Sequence, residues 1–409
     1  MNIMEEESRR RVRSTRVVIV LCFLMIFTAL GFCSSTRSLF VLPVTGALEI
    51  GRSVYSVTDT VRFVSTSVVN LFFGALIARF GARRLIGAGF FLLLSWAVLC
   101  AAGGHIALFY LAGMCLGAGL SFTTTSMVGY VISRRCRKNR GTVMGAVLAA
   151  NGLGGALATQ LVTPLLVGDS LFAYRRAFWM IAAVLLFVGV LILALFRDTP
   201  KESRDATAGT LVAAPREEGQ PLARGRFLAV AACIFFSGFV LQGITGVAAA
   251  HMSDVGINAG YIATVLSIHS LALAGAKLLN GFLYDRFGIA VTVSVAVGAS
   301  VAVMLVLIFL GSAPIFFGMA YALLAAVALP LETVMLPIYA RRFFGDGQFD
   351  RVLGYFVSVN TAGYALGAPV INLCYDLSGS YMLAFLVCGV MMVAVLVGLL
   401  LVIAKTAKE

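Results

Sequence analysis

The sequence predicts an all-α integral membrane protein with twelve transmembrane helices in two pseudo-symmetric six-helix bundles. Three observations predict it: an internal repeat, an apolar composition and a regular placement of charge. Gly74-Ala75-Leu76-Ile77-Ala78-Arg79-Phe80-Gly81 recurs as Gly281-Phe282-Leu283-Tyr284-Asp285-Arg286-Phe287-Gly288, 207 positions later. The same offset carries Gly31-Phe32 onto Gly238-Phe239 and Arg134-Arg135 onto Arg341-Arg342. After a slip of two residues, Gly145, Asn151, Gly154 and Leu157 match Gly354, Asn360, Gly363 and Leu366. One unit is therefore used twice. Hydrophobic residues make up 60% of the chain and charged residues 12%. Soluble domains carry about 25% charged residues, so a globule of this size lacks the polar surface to be solvated.

The elements follow from the charge clusters that divide the apolar sequence. Helices of about 20 residues cross roughly 30 Å of hydrocarbon. The first span, 17–46, follows the basic run Arg9–Arg16, is too long for a cleaved signal core and contains Arg37. Spans 55–79 and 84–103 are separated by Arg79–Arg84, and spans 106–133 and 142–167 by Arg134–Arg140. The sixth span, 177–196, and the seventh, 227–251, flank the one long polar segment, 197–226. Spans 258–284 and 289–311 meet at Asp285-Arg286-Phe287-Gly288. Arg341–Arg351 divides span 314–340 from span 352–374, and span 381–404 ends before Lys405–Lys408. The expected organisation is a bundle over 1–196, a linker over 197–226 and a second bundle over 227–409. The short alternating segments of a membrane β-barrel are absent.

The net charge of +13 does not indicate nucleic acid. All but six of the 31 Lys and Arg fall in the N-terminus, alternate loops and the C-terminus. That alternation is the positive-inside pattern. It places both termini and the linker in the cytoplasm of a multi-pass protein of the cell (inner or plasma) membrane. Eight cysteines show no CxxC and no zinc spacing. Gly113/Gly117, Gly141/Gly145 and Gly363/Gly367 have the spacing that lets helices approach closely in lipid. A duplicated, very apolar chain is most simply a transporter, two halves rocking about a site between them. Gly152-Leu153-Gly154-Gly155 lacks the third glycine of a dinucleotide loop, and no Walker, HExxH or GxSxG sequence appears. No enzyme activity and no cofactor is expected, and an ion or substrate gradient supplies the energy.

An ionisable group deep in a membrane helix costs about 2.5–3.5 kcal/mol on insertion scales, so it survives facing a cavity or a partner. Arg52, Arg175 and Arg176 fit external loops or helix ends, whereas Arg37, Arg62 and Lys277 do not. Lys277 lies eight residues before Asp285 and Glu332 nine before Arg341. Both are thus about 12–13 Å deep at about 1.5 Å per residue. Lys277 is expected to bind a substrate carboxylate, compatibly with an ion pair to Glu332, and Arg37 to assist it. Arg62 follows Asp59 by three residues, a spacing that pairs them on one helix face as a structural feature. Glu332 aligns with Thr125 of the first repeat, so it is an addition to the shared scaffold and the candidate proton carrier. His269, two turns from Lys277, is a candidate relay, with a packing histidine as the plainer reading. Asn360, Tyr355 and Tyr364 share one helix and are candidate cavity residues, although Asn151 and Asn360 also suit bonds between helices.

The repeated glycine-arginine stretch resembles the loop signature of the major facilitator superfamily, Gly-x-x-x-Asp-Arg/Lys-x-Gly-x-Arg/Lys-Arg/Lys. The first copy has Gly74, Arg79, Gly81, Arg83 and Arg84, with Ala78 where the acid is expected; the second has Gly281, Asp285, Arg286 and Gly288. The resemblance implies that these residues form a latch between conformational states, weakened at Ala78. Arg37, Lys277 and Glu332 make the chain similar to the monocarboxylate porters and oxalate/formate antiporters. It departs from the porters at Leu273, where an aspartate is usual, and from the antiporters in lacking a lysine in helix eleven. The resemblance implies a monomeric secondary transporter of a small organic anion, a monocarboxylate such as lactate or pyruvate, by proton symport or anion exchange. Efflux of amphipathic drugs and a non-transporting metabolite sensor are the alternatives.

Overall fold

The computed structural model describes residues 2–135, 140–167, 172–196 and 224–406. The expected linker therefore falls largely outside the described residues. The helices are α1 (Asn2–Cys33), α2 (Val41–Leu48), α3 (Arg52–Phe80), α4 (Ala82–Ala102), α5 (Ile106–Thr123), α6 (Thr125–Arg135), α7 (Arg140–Leu166) and α8 (Ala173–Leu195). They continue as α9 (Arg224–Asp254), α10 (Ala259–Ile308), α11 (Pro314–Ala328), α12 (Met335–Phe344), α13 (Phe349–Ser378) and α14 (Met382–Thr406). Among the described residues, ten stretches are long and apolar enough to cross a membrane. The 50-residue α10 contains two of the expected spans, and the 30-residue α13 covers the expected span 352–374.

Three spans are broken where the sequence pattern reads as continuous. The first stops at Cys33, resumes as a 3-10 turn at Arg37–Phe40 and continues in α2. The fourth breaks at Thr124 (φ −119°, ψ −142°). The tenth passes through a 3-10 turn at Leu329–Glu332 that contains Pro330. Proline cannot donate a helix bond, which accounts for the last break. Between the second and third spans the chain turns on Gly81, and between the eighth and ninth on Gly288, at φ 79° and 77°. Glycine alone adopts that backbone without a steric cost, so both copies of the signature are turns of the same kind.

Two hydrophobic cores are present, one drawn from residues between Val18 and Phe196, the other from residues between Val230 and Leu399. Close helix contacts repeat between them. A methyl group at Gly31 would stand 2.6 Å from the Cα of Gly154, and at the repeat-related positions one at Gly238 would meet Asn360 and one at Gly363 would stand 3.3 Å from the backbone of Gly238. Gly113 meets the Thr58 carbonyl and Gly367 the backbone of Gly243. Gly145 has open space around it, so the Gly141/Gly145 spacing does not mark a close approach on its account.

The halves meet through α3 against α13 and α7 against α10. Their polar contacts lie at one end. Arg52 binds Asp254 through two bonds of 2.6 and 2.8 Å and the Tyr381 hydroxyl at 3.1 Å. Its guanidinium lies 3.8 Å from the centre of the Tyr375 ring. Asp376 accepts from the backbone of Arg52 and Ser53 at 3.0 and 2.9 Å, capping α3 from the opposite half. Deeper in, Asn372 donates to Ser56 at 2.7 Å, Thr60 donates to the Ala365 carbonyl, and Gln160 donates to Ser267 at 3.2 Å. Toward the Gly81 and Gly288 turns, Leu71, Phe72, Leu278 and Phe282 are exposed, and Gly74 and Gly281 have nothing within 4 Å. The printed polar contacts between the halves thus lie at the Arg52 end and in the middle, whereas Gly74 and Gly281, toward the glycine turns, stand in open space.

Candidate functional site

A cavity of about 240 Å³ lies between the halves. The breaks in the first and tenth spans both border it. Unwound backbone within a membrane is tolerated where it lines a cavity, and here it presents Arg37 on one side and Glu332 on the other. The first half contributes Ser34, Ser35, Arg37, Tyr55, Ser56, Asp59 and Asn151. The second contributes Gln242, Thr245, His269, Ser270, Lys277, Tyr321, Glu332 and Tyr364. Hydroxyls and amides thus surround a small set of charges.

The charges are arranged unequally. Arg37 contacts Asp59, and Arg62 Nε stands 3.6 Å from the same Asp59 oxygen. The expected pairing of Asp59 with Arg62 along one helix is present, and the first span delivers Arg37 to the same acid as well, a tertiary contact that spacing along one helix cannot show. On the opposite wall Lys277 is half-buried and Glu332 is 4% exposed. No contact within 4.0 Å joins them among the described residues, and Glu332 Oε1 has no hydrogen-bond partner. The expected ion pair is not formed, although both groups face one cavity. The Tyr364 phenol interacts with Glu332, and its ring packs on Phe63 of the first half at 5.3 Å.

The remaining candidates divide. His269 lines the cavity, with Nδ1 3.2 Å from the Ala322 carbonyl and its ring tilted over Tyr321. Asn360 does not reach the cavity. It is buried, and Nδ2 points at the backbone carbonyl of Glu332, 3.5 Å away. Tyr355 is a clear correction: it is 44% exposed and packs on Phe227 outside the cavity. Nine residues separate it from Tyr364, so the two leave α13 in different directions. Asn151, the repeat mate of Asn360, accepts from Ser35 at 3.4 Å at the cavity wall. Of the latch residues, Gly81 and Gly288 form the turns, and Arg83 donates to the Leu193 carbonyl near the end of α8 at 2.8 Å. Gly74, Arg79, Asp285 and Arg286 are exposed at the end that carries these turns or beside it, Gly281 is half-buried there, and Asp285 makes no ion pair among the described residues. Sequence reasoning passed over the Arg52–Asp254–Asp376 cluster, whose signal was a cation and two acids at three separate helix ends. Among the described residues no group of His, Cys, Asp and Glu has metal-site geometry.

A family model described as Major Facilitator Superfamily matches residues 19–248 and 230–409. Monocarboxylate transporter 13 of Bos taurus is 26% identical over 328 residues, covering 78% of this chain and 73% of that protein. Monocarboxylate transporter 11 of Homo sapiens is 26% identical over 337 residues, covering 77% and 67%. Among solved structures, the nucleoside transporter NupG superposes with a TM-score of 0.77 at 11% identity, covering 95% of this chain and 99% of that one. The D-xylose-proton symporter gives 0.74 at 14% identity, covering 94% and 96%. The two structural likenesses speak to the fold. Two copies of one bundle, a glycine turn at the matching place in each, a cavity between them and a family match over almost the whole chain have one common origin: the chain belongs to the Major Facilitator Superfamily, as a membrane transporter.

Proposed function

We propose that this transporter carries a small monocarboxylate, coupled to a proton, by alternating access. Lys277 is the observation that carries the reading. It is a half-buried cation on the cavity wall with no acid within pairing distance among the described residues. Two cations (Arg37 and Lys277) and two acids (Asp59 and Glu332) line the cavity, and Arg37 is paired with Asp59, so with Glu332 protonated the wall has room for one negative charge. A monoanion supplies it. The cavity, about 240 Å³, is smaller than the roughly 300–1,000 Å³ of sites that hold drug-sized ligands, which favours a small solute over an amphipathic drug. The names of the two curated relatives point the same way.

Glu332 is the proposed proton site. It is buried on the cavity wall with one oxygen unpartnered, next to the Tyr364 phenol. Protonation removes the charge facing Lys277 and leaves that cation to the substrate carboxylate. His269 lines the same cavity and is the proposed relay. With cytoplasmic termini the end that carries the glycine turns faces the cytoplasm, and the Arg52 cluster seals the external side. The exposed glycine-arginine turns are then free to dock when the halves rock.

Uptake into proteoliposomes of labelled lactate, pyruvate and acetate, with and without a pH gradient, tests the reading. Gradient-driven accumulation of at least one is expected, with Lys277→Ala inactive and Lys277→Arg partly active, since the charge stays but the donor geometry changes. Equal uptake by Lys277→Ala and the parent protein overturns it.

A further inference from the structure

The first half carries two arginines on one aspartate, more cation than the pairing of Asp59 requires. Arg37 comes from the 3-10 turn in the first span, and it and Asp59 both line the cavity. Arg62 sits one turn along α3 from Asp59, with its side chain only 6% exposed, and it does not line the cavity. Its Nε is 3.6 Å from the Asp59 oxygen that Arg37 holds, within charge-pairing range but not hydrogen-bonded. Meanwhile Arg62 leans on Ser34 Oγ at 3.4 Å and on the face of Phe63, 3.9 Å away. It is an arginine held in place beside an acid it has not yet closed on.

An arginine bound to a buried acid is not free to hold a substrate. Withdrawing it leaves the acid uncompensated, which is the expensive way to break a buried ion pair. A second cation already aimed at the same oxygen removes that cost. We propose that Arg62 is a positioning residue, the stand-in counter-ion of Asp59. When a substrate carboxylate draws Arg37 away, Arg62 closes on the vacated oxygen, and Arg37 becomes a second carboxylate contact opposite Lys277. Arg37 belongs to one half and Lys277 to the other, so a carboxylate held by both ties the halves together. This inference rests on the monocarboxylate reading above.

A purely structural Asp59–Arg62 pair on one helix face predicts something different: loss of thermal stability on mutation, with no change in ligand affinity. The test is the affinity of purified full-length variants for pyruvate, lactate and acetate, read from ligand-dependent thermal stabilisation. Arg62→Gln is expected to bind at least tenfold more weakly than the parent, although Arg62 does not touch the ligand, and Arg62→Lys should fall between them. Asp59→Asn should bind at least threefold more tightly, because Arg37 is released. The double variant Asp59→Asn/Arg62→Gln should bind like Asp59→Asn. Affinity of Arg62→Gln within twofold of the parent, or a double variant as weak as Arg62→Gln, overturns the inference. If Arg62→Gln does not fold, the Asp59→Asn arm decides, and unchanged or weaker binding there is equally fatal. A parent protein that none of the three acids stabilises refutes the monocarboxylate reading itself and this inference with it. A parent that binds while the variants disobey refutes only the stand-in role.

Discussion

Replacing Arg52 by Gln should release the contacts between the halves at its end of the protein. Arg52 makes two charge-assisted bonds to Asp254, one to the Tyr381 hydroxyl and a face contact with Tyr375. Hydrogen bonds to charged groups contribute about 1.5–3 kcal/mol each when shielded, and a cation on an aromatic face about 0.5–2 kcal/mol. The side chains of Arg52 and Asp254 are 12% and 25% exposed, so solvent screening reduces the charge terms. A total of about 2–3 kcal/mol remains for the cluster, or roughly 30- to 150-fold in the equilibrium between closed and open ends. An opened state populated at about 1% in the parent then rises to roughly 25–60%. Asp376 still caps α3 through the backbone of Arg52 and Ser53, so α3 itself should remain intact. Spin labels at Val54 on α3 and Leu377 on α13, both exposed at this end, report the separation by pulsed dipolar spectroscopy. The parent should give one short distance and Arg52→Gln a second, longer population. Identical distance distributions for the two proteins would show that the cluster does not hold the end shut.

Gly31→Ala should lower the melting temperature by several degrees, because its methyl meets the Gly154–Gly155 backbone at 2.5–2.8 Å and overpacking costs about 1–3 kcal/mol; a Tm within one degree of the parent would refute the close approach of α1 and α7. Glu332→Gln should leave counterflow exchange of substrate intact while abolishing accumulation against a gradient, and proton-driven accumulation by the variant would remove Glu332 as proton carrier. Single cysteines placed in the 197–226 segment of a cysteine-free protein should resist an impermeant thiol reagent in intact cells; labelling there would invert the assigned topology.

The sequence made legible whatever depends on composition and local order. The twelve passes, the repeat and the two turns at Gly81 and Gly288 follow from apolar length, charge clusters and glycine. The intramembrane ions Arg37, Lys277 and Glu332 were legible because an unsolvated charge must face a cavity, and all three do. What stayed hidden depends on direction and on partners from other helices. Tyr355 and Tyr364 look alike in sequence, yet helix rotation turns one outward and the other inward. Asp59 has a cation three residues away, which hides that a second arrives from a distant span. The breaks at Cys33 and Thr124 carry no proline to announce them; the first borders the cavity, and nothing in the local sequence marks the second.

The break in the fourth span at Thr124 and the one in the tenth at Leu329–Glu332 occupy corresponding places in the two copies, 207 residues apart. The same helical pass is thus interrupted in both halves. Only the second copy placed a carboxylate there; the first has Thr125 at the position of Glu332. The backbone irregularity is common to both halves, whereas the acid distinguishes one half from the other. The charge is an asymmetry laid on a repeated scaffold. Thr125→Glu would reinstate the mirror image and ask how much of the site's polarity depends on which half carries the charge.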